Sequence, residues 1–180
     1  MKKVLGVFIA VCILFSMSAC KDNPAVSETT TSSSQLPHQV ADHAEPTIEW
    51  PEITENGVDE SLLIENTDNE TLTYVAAEIQ TLVQEETEAE RDNPELVLTE
   101  GWTRVFKSEH YANVIALGKN AMKPLYLILY ESPSAGQYEY ICAYALYELS
   151  GYDFTTSDGT LTWANSTEFL LLFNKAVLSE

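Results

Sequence analysis

The sequence predicts an all-α fold, a small HEAT-like or irregular helical bundle of five to six helices over residues 67–180, after a signal peptide and a disordered linker. Three observations support this prediction. Apolar residues recur at spacings of three and four, which is the period of an amphipathic helix. Capping residues and glycines fall at the ends of these periodic segments. No segment shows the clear alternation of apolar and polar residues that is typical of a half-buried strand.

The first predicted helix begins near Thr67. Thr67 and Glu70 have the spacing of a capping box, in which the hydroxyl caps the helix and the carboxylate reaches back to it. Asn93-Pro94 ends the helix, because the residue before a proline disfavours helical geometry. The apolar positions between these ends form one stripe: Leu72, Val75, Ala76, Ile79, Leu82 and Val83.

Shorter helical segments follow. Ser108 is a good cap for one of them, and Gly118 suits the position just after its end. Pro124 is tolerated near the start of the next helix. Residues 126–130 have some strand propensity, but their flanking residues favour a short buried helix. The predicted segments are 99–106, 108–117, 120–131, 137–149 and a last helix capped by Asn165 or Ser166.

The N-terminus has the layout of a secretory signal peptide over residues 1–19, with a basic start, an apolar run and small residues at the end. The run over 4–19 spans about 24 Å as a helix, less than the roughly 30 Å hydrocarbon core of a membrane. Its end, Met17-Ser18-Ala19-Cys20, resembles a bacterial lipobox with Met in place of the commoner Leu. The resemblance implies cleavage before Cys20 and a diacylglycerol, with acyl chains such as palmitate, on its thiol. An ordinary signal peptide with an incidental cysteine is the alternative.

Residues 20–66 are predicted to be the lipidated Cys20 followed by a flexible acidic linker. Residues 27–34 are nearly all Ser and Thr, and prolines recur through the segment. Such a composition cannot bury enough apolar surface to offset the entropy of the chain. Apolar residues between 46 and 66 leave open whether that part docks on the domain.

The charge excludes one class of partner. The chain has 180 residues and a net charge of −19, from 28 acidic against 9 basic residues. Nucleic acid is therefore not an expected partner, because phosphate binding needs clusters of Lys and Arg. The expected location is the extracytoplasmic face of the cell membrane, where the lipid on Cys20 holds the chain.

Residues that could carry catalysis are few. Cys142 is the cysteine left after signal removal and lipidation, and its apolar surroundings predict a buried, inert thiol. His110 lacks the second histidine of a metalloprotease helix and is expected on a solvated face. The sequence contains no glycine-rich phosphate loop and no Gly-x-Ser-x-Gly motif. We therefore expect no catalytic residues, no metal site and no cofactor, and thus no enzyme.

Two further segments carry a resemblance. Residues 114–129 resemble a HEAT-type helical hairpin, in which one helix ends at a glycine and the next begins near Pro-Leu, and residues 139–151 resemble the helix of the following repeat. Residues 102–178 are similar to uncharacterised bacterial lipoproteins of Gram-positive type, whose shared pattern ends in a stretch like residues 163–173. The resemblance implies a small HEAT-like domain and no established activity.

Tyrosines supply the candidate interaction surface. Tyr140, Tyr144 and Tyr147 share one helix face, where they either pack against the domain or contact a partner. Trp102 and Trp163 are expected to be core or lid residues. The favoured function is a protein-binding module of the cell envelope with an envelope protein as partner. The alternatives are a small-ligand or peptide sensor, which needs a closed apolar pocket, and a cell-wall enzyme, which needs carboxylates converging in a pocket, with or without His110.

Overall fold

Helices make up most of the chain that the computed structural model describes, which is residues 48–132 and 134–180. The predicted all-α fold class is confirmed for these residues. The predicted signal peptide, Cys20 and the linker up to residue 47 lie outside the described residues. The α-helices are α1 (Glu60–Glu65), α2 (Asn69–Asp92), α3 (Leu96–Thr99), α4 (Glu109–Ala116), α5 (Met122–Glu131), α6 (Gln137–Ser150) and α7 (Ser166–Val177), and 3-10 helices span Trp102–Lys107 and Gly118–Ala121. None of the described helices is long and apolar enough to cross a membrane.

The folded unit starts earlier than the sequence predicts. Two short antiparallel strands, β1 (Ile53–Thr54) and β2 (Gly57–Val58), form a hairpin ahead of α1. Three apolar side chains of this region, Trp50, Ile53 and Leu63, are buried in the core. The predicted domain boundary at residue 67 is therefore too late, because residues 48–66 belong to the folded unit rather than to a linker.

The start of α2 differs from the prediction by one residue. Asp68 is the N-cap, and its carboxylate accepts a hydrogen bond from the Thr71 amide at 2.7 Å. Thr67 is buried and instead donates its hydroxyl to the Leu63 carbonyl at 2.7 Å. The carboxylate of Asp68 thus replaces the predicted hydroxyl cap, and the chain ends α2 at Asn93 as predicted.

Most of the other predicted helix ends are confirmed. The side chains of Ser108 and Asn165 accept hydrogen bonds from the amides at the starts of α4 and α7. Gly118 follows α4 and Gly151 follows α6, with φ values of 56° and 71° that other residues rarely adopt. Residues 99–106 are the exception, since α3 ends at Thr99 and a 3-10 helix begins at Trp102.

The core lies between α2, α5, α6 and α7. α5 and α6 pack extensively on each other, and α2 packs on α4, α5 and α6. Each fully buried Leu or Phe side chain contributes roughly 1.5–3 kcal/mol through removal of apolar surface from water. The largest fully buried apolar side chains are Tyr126, Phe169, Phe173, Leu63, Ile79, Leu82, Leu125, Ile141 and Leu146.

Candidate interaction surface

The structure places the three candidate tyrosines together on α6, half-buried against the core. The ring of Tyr144 stacks on Phe106, with centroids 4.1 Å apart and planes at 21°. The ring of Tyr140 meets Trp102 edge-on, with centroids 5.0 Å apart. Tyr147 packs edge-on against Tyr144 at 5.9 Å. Packing within the domain therefore covers part of each of the three rings. Contact with a partner stays a prediction for all three.

Three exposed apolar side chains lie in the segment before α4, and one of them, Trp102, packs on Tyr140. We call Val97, Leu98 and Trp102 the apolar strip. Their exposed fractions are 43%, 86% and 42%. Single exposed apolar residues are ordinary, but three within six positions of the chain are a local concentration of apolar surface that contact with another molecule would cover. Trp102 was expected to be a core or lid residue; the structure excludes it from the core, since 42% of it is exposed where it packs on Tyr140.

Local contacts hold the 3-10 helix that carries Trp102 in place. α3 is a single turn, and Gly101 with φ of 70° lets the chain change direction before the 3-10 helix. The guanidinium of Arg104 then donates to the Gly101 carbonyl at 2.8 Å. The same guanidinium lies 2.5 Å from Glu86 and 2.9 Å from Glu90, both on α2. This double ion pair fastens the 3-10 helix, and with it Trp102, to α2.

An open cleft of about 600 Å³ lies beside Arg104. It is lined mainly by polar and charged side chains, four of them glutamates, and we call it the acidic cleft. This open, polar cleft differs from the closed apolar pocket that a small-ligand sensor needs. Its lining residues are Leu82, Glu85, Glu86, Glu100, Arg104, Lys107, Ser108 and Glu109.

His110 is not a solvated face residue, so that expectation was wrong. Its ring Nδ1 lies 2.9 Å from the Glu78 carboxylate and its Nε2 lies 3.5 Å from Glu85, and its side chain is only 27% exposed. Asn113 donates to the same Glu78 oxygen at 2.9 Å. The hydrogen bond from Asn113, followed by the contact with His110, lowers the pKa of Glu78. The hydrogen bond to Glu78 raises the pKa of His110.

This cluster does bring carboxylates and His110 together, as an enzyme would require. A general acid, however, needs a carboxyl with a raised pKa, and the pKa of Glu78 is lowered. The contacts run between α2 and α4, so their evident effect is to join those two helices. Within residues 48–132 and 134–180, no group of three or more His, Cys, Asp or Glu side chains could hold a metal ion.

A buried ion pair joins the chain segment before α1 to α5. Glu52 is fully buried, and its Oε1 lies 2.5 Å from the Lys123 ammonium and accepts from the Asn66 amide at 2.8 Å. Its Oε2 has no hydrogen-bond partner in the described part of the chain. The Lys123 ammonium also lies 5.8 Å from the ring centroid of Trp50. The sequence did not predict this ion pair because its two residues are far apart in the chain and Glu52 lies in the predicted linker.

Cys142 is a free, fully buried thiol, as predicted. Burial raises its pKa, with a smaller contribution from the charge of Glu139. A thiol with a raised pKa holds little of the reactive thiolate at neutral pH. Cys142 therefore acts as a small apolar core residue of α6.

Comparisons with protein-family models, with curated proteins and with solved structures found no match to this chain. The site and the fold define the class of protein on their own. It is an all-α domain that presents an apolar strip beside an acidic cleft.

Proposed function

We propose that the chain is an extracytoplasmic lipoprotein, held at the cell membrane by a lipid on Cys20, that acts as a protein-binding module of the cell envelope. The N-terminal pattern that ends in Met17-Ser18-Ala19-Cys20 supports export and lipidation. The folded unit over residues 48–180 supplies the binding surface. The proposed partner is another envelope protein, and the proposed role is not enzymatic.

The exposure of the apolar strip is the observation that carries this proposal. Leu98 is 86% exposed, so nearly all of its side chain remains to be covered. Covering a Leu side chain contributes roughly 1.5–3 kcal/mol. Trp102 adds the type of residue that most often dominates the energy of protein interfaces, and its ring is already oriented by packing on Tyr140. A pre-oriented aromatic ring loses little conformational entropy on binding.

In-cell photo-crosslinking tests this proposal. A photoreactive amino acid replaces Leu98 in the full-length chain, and captured proteins are identified by mass spectrometry. Leu171 on α7 provides the matched control, because it is also a highly exposed leucine, at 68%. We expect one dominant envelope protein from position 98 that is absent from position 171. Equal capture from both positions, or none from position 98, would contradict a binding role for the strip.

The anchor requires its own experiment. C20S removes the thiol that would carry the lipid, so we expect the protein to lose fatty-acid labelling. C142S is the matched control, since it also removes one thiol. Unchanged labelling of C20S would overturn the lipoprotein assignment.

A further inference from the structure

We infer that the apolar strip and its acidic surroundings bind a basic amphipathic segment of the partner, one with Lys or Arg flanking a short apolar face. This inference rests on the proposed binding function and adds the chemistry of the partner. Two features of the surface support it: the exposed apolar side chains and the negative charge around them.

The surroundings of the strip are strongly negative. Residues 85–100 contain seven acidic residues and one basic residue, Arg91. Glu95 and Glu100, which bracket Val97 and Leu98 in the chain, are both exposed. Glu100 also lines the acidic cleft, so the strip and the cleft are parts of one surface. Charges around the rim of an interface select a partner of opposite sign and speed its association.

Arg104 does not neutralise this surface. Its guanidinium lies between Glu86 and Glu90, so one positive charge already faces two carboxylates. Glu85 contacts the His110 ring, but Glu100 and Glu109 in the cleft lining make no salt bridge with another described residue, and Lys107 is the other cation that lines the cleft. The surface beside the strip therefore keeps a net negative charge that a cationic partner would offset.

The size of the strip fits a short helical or extended segment. Leu98 and Trp102 are four residues apart, so their Cα atoms lie at most about 14 Å from each other. Two to three turns of a helix, at about 5.4 Å per turn, span this upper limit. An amphipathic helix of that length or shorter can therefore present apolar side chains to both residues.

The same charges disfavour a membrane as the occupant. Apolar side chains that insert into a bilayer are usually accompanied by Lys and Arg, which attract anionic lipid headgroups. Here the apolar side chains are accompanied by glutamates, which an anionic leaflet repels. A polypeptide with its own basic residues matches both the apolar and the charged parts of the surface.

Peptide binding to the full chain tests the inference. The chain is held in nanodiscs of zwitterionic phosphatidylcholine, and the probe is a fluorescent amphipathic helical peptide of Leu and Lys. A Leu and Glu peptide of the same pattern and empty nanodiscs serve as controls. We expect L98S to weaken binding of the Lys peptide about tenfold, which corresponds to 1.4 kcal/mol. L171S should leave binding unchanged, and raising the salt from about 0.05 to about 0.3 M should weaken it.

Other outcomes would overturn the inference. Equal weakening by L98S and L171S would show that the peptide binds elsewhere. Preference for the Glu peptide would show that the partner is not basic. Binding of the chain to phosphatidylglycerol vesicles that L98S abolishes would show that the strip contacts lipid. If the crosslinking from position 98 still captures one envelope protein, the binding function survives while its proposed charge selectivity fails.

The charge itself has a separate variant. The double substitution E95Q/E100Q removes two exposed carboxylates that make no salt bridge in the described part of the chain, so the fold should be unaffected. We expect several-fold weaker binding of the Lys peptide and a smaller salt dependence. Unchanged affinity and salt dependence would contradict the role assigned to these glutamates. Circular dichroism of each variant confirms that the helices remain.

Discussion

Lys123 stabilises a carboxylate that has no contact with water, and K123M should therefore destabilise the fold strongly. In the variant, Glu52 keeps the hydrogen bond from Asn66 but loses its cation. Removing one partner of a buried ion pair costs about 3–5 kcal/mol. Because the Lys123 side chain is 19% exposed, water reaches part of the pair, and we expect about 3 kcal/mol. Loss of the contact between the ammonium and Trp50 adds less than about 1 kcal/mol.

Urea unfolding of a chain beginning at residue 21 measures this effect through tryptophan fluorescence. With a urea dependence of about 2 kcal/mol per molar, the midpoint should fall by about 1.5 M. K175M is the matched control, because Lys175 is an exposed lysine on α7, and its effect should stay within about 0.5 kcal/mol. The double variant E52Q/K123M removes both charges and should recover more than half of the lost stability.

Two results would refute this reasoning. A K123M variant within about 1 kcal/mol of the parent protein would mean that the carboxylate is not buried as a charge. A double variant no more stable than K123M would mean that the cost comes from packing around Lys123 rather than from the unpaired charge of Glu52.

Three further predictions concern the helix contacts. Because the pKa of His110 is raised in the folded protein, its contribution to stability is complete below its unfolded pKa of about 6.5 and is lost as the pH rises through its folded pKa. Because the pKa of Glu78 is lowered, its contribution is present above its unfolded pKa of about 4.5 and is lost as the pH falls through its folded pKa. H110Q should therefore cost most stability near pH 5–6 and least near pH 8 in urea unfolding, and a cost that does not vary with pH would contradict the pairing. Y144A removes a ring stacked on Phe106 and should lower the free energy of unfolding by about 2–4 kcal/mol, while Y144F should change it by less than about 1 kcal/mol. Thermal unfolding of Y144A at the temperature of the parent protein would show that the ring is not packed. G151A places a side chain at a φ of 71° and should lower the melting temperature by about 3–5 °C. No atom lies within 4 Å of the added Cβ, so the backbone conformation alone causes this loss. An unchanged melting temperature would mean that α6 does not end in this conformation.

Helix ends could be predicted well because their signals are local. Ser108 and Asn165 cap helices through hydrogen bonds to amides two and three residues away, so sequence spacing contains the whole interaction. The start of α2 was misplaced by one residue because Thr67 and Asp68 are both good caps. What separates them is a contact outside the helix start, the hydrogen bond from Thr67 to Leu63 in the preceding helix.

The early start of the folded unit could not be predicted from composition. Residues 48–66 have acids and a proline among their apolar residues, which resembles a linker when averaged over a window. Their burial depends on contacts with distant parts of the chain, such as Trp50 against Phe173 at 5.1 Å and Glu52 against Lys123. Sequence spacing gives no information about such pairs.

The candidate surface was predicted only in part. Helical spacing correctly placed Tyr140, Tyr144 and Tyr147 on α6, but it could not show which rings from other elements would cover them. Trp163, which the structure buries as expected, lies 5.1 Å from Tyr140. The apolar strip was not predicted because the exposure of Leu98 and Trp102 depends on how α3 and the 3-10 helix pack on the domain, and sequence spacing does not contain that information.

The buried thiol of Cys142 gives the domain an internal reporter of its own opening. A maleimide or disulfide reagent cannot reach a fully buried sulfur, so modification must wait for α6 to expose it. The modification rate then measures how often the core opens, and at saturating reagent it approaches the opening rate itself. In the proposed lipoprotein Cys12 leaves with the signal peptide and the thiol of Cys20 carries lipid, so the Cys142 thiol would let that frequency be read in intact cells, with and without a partner on the surface.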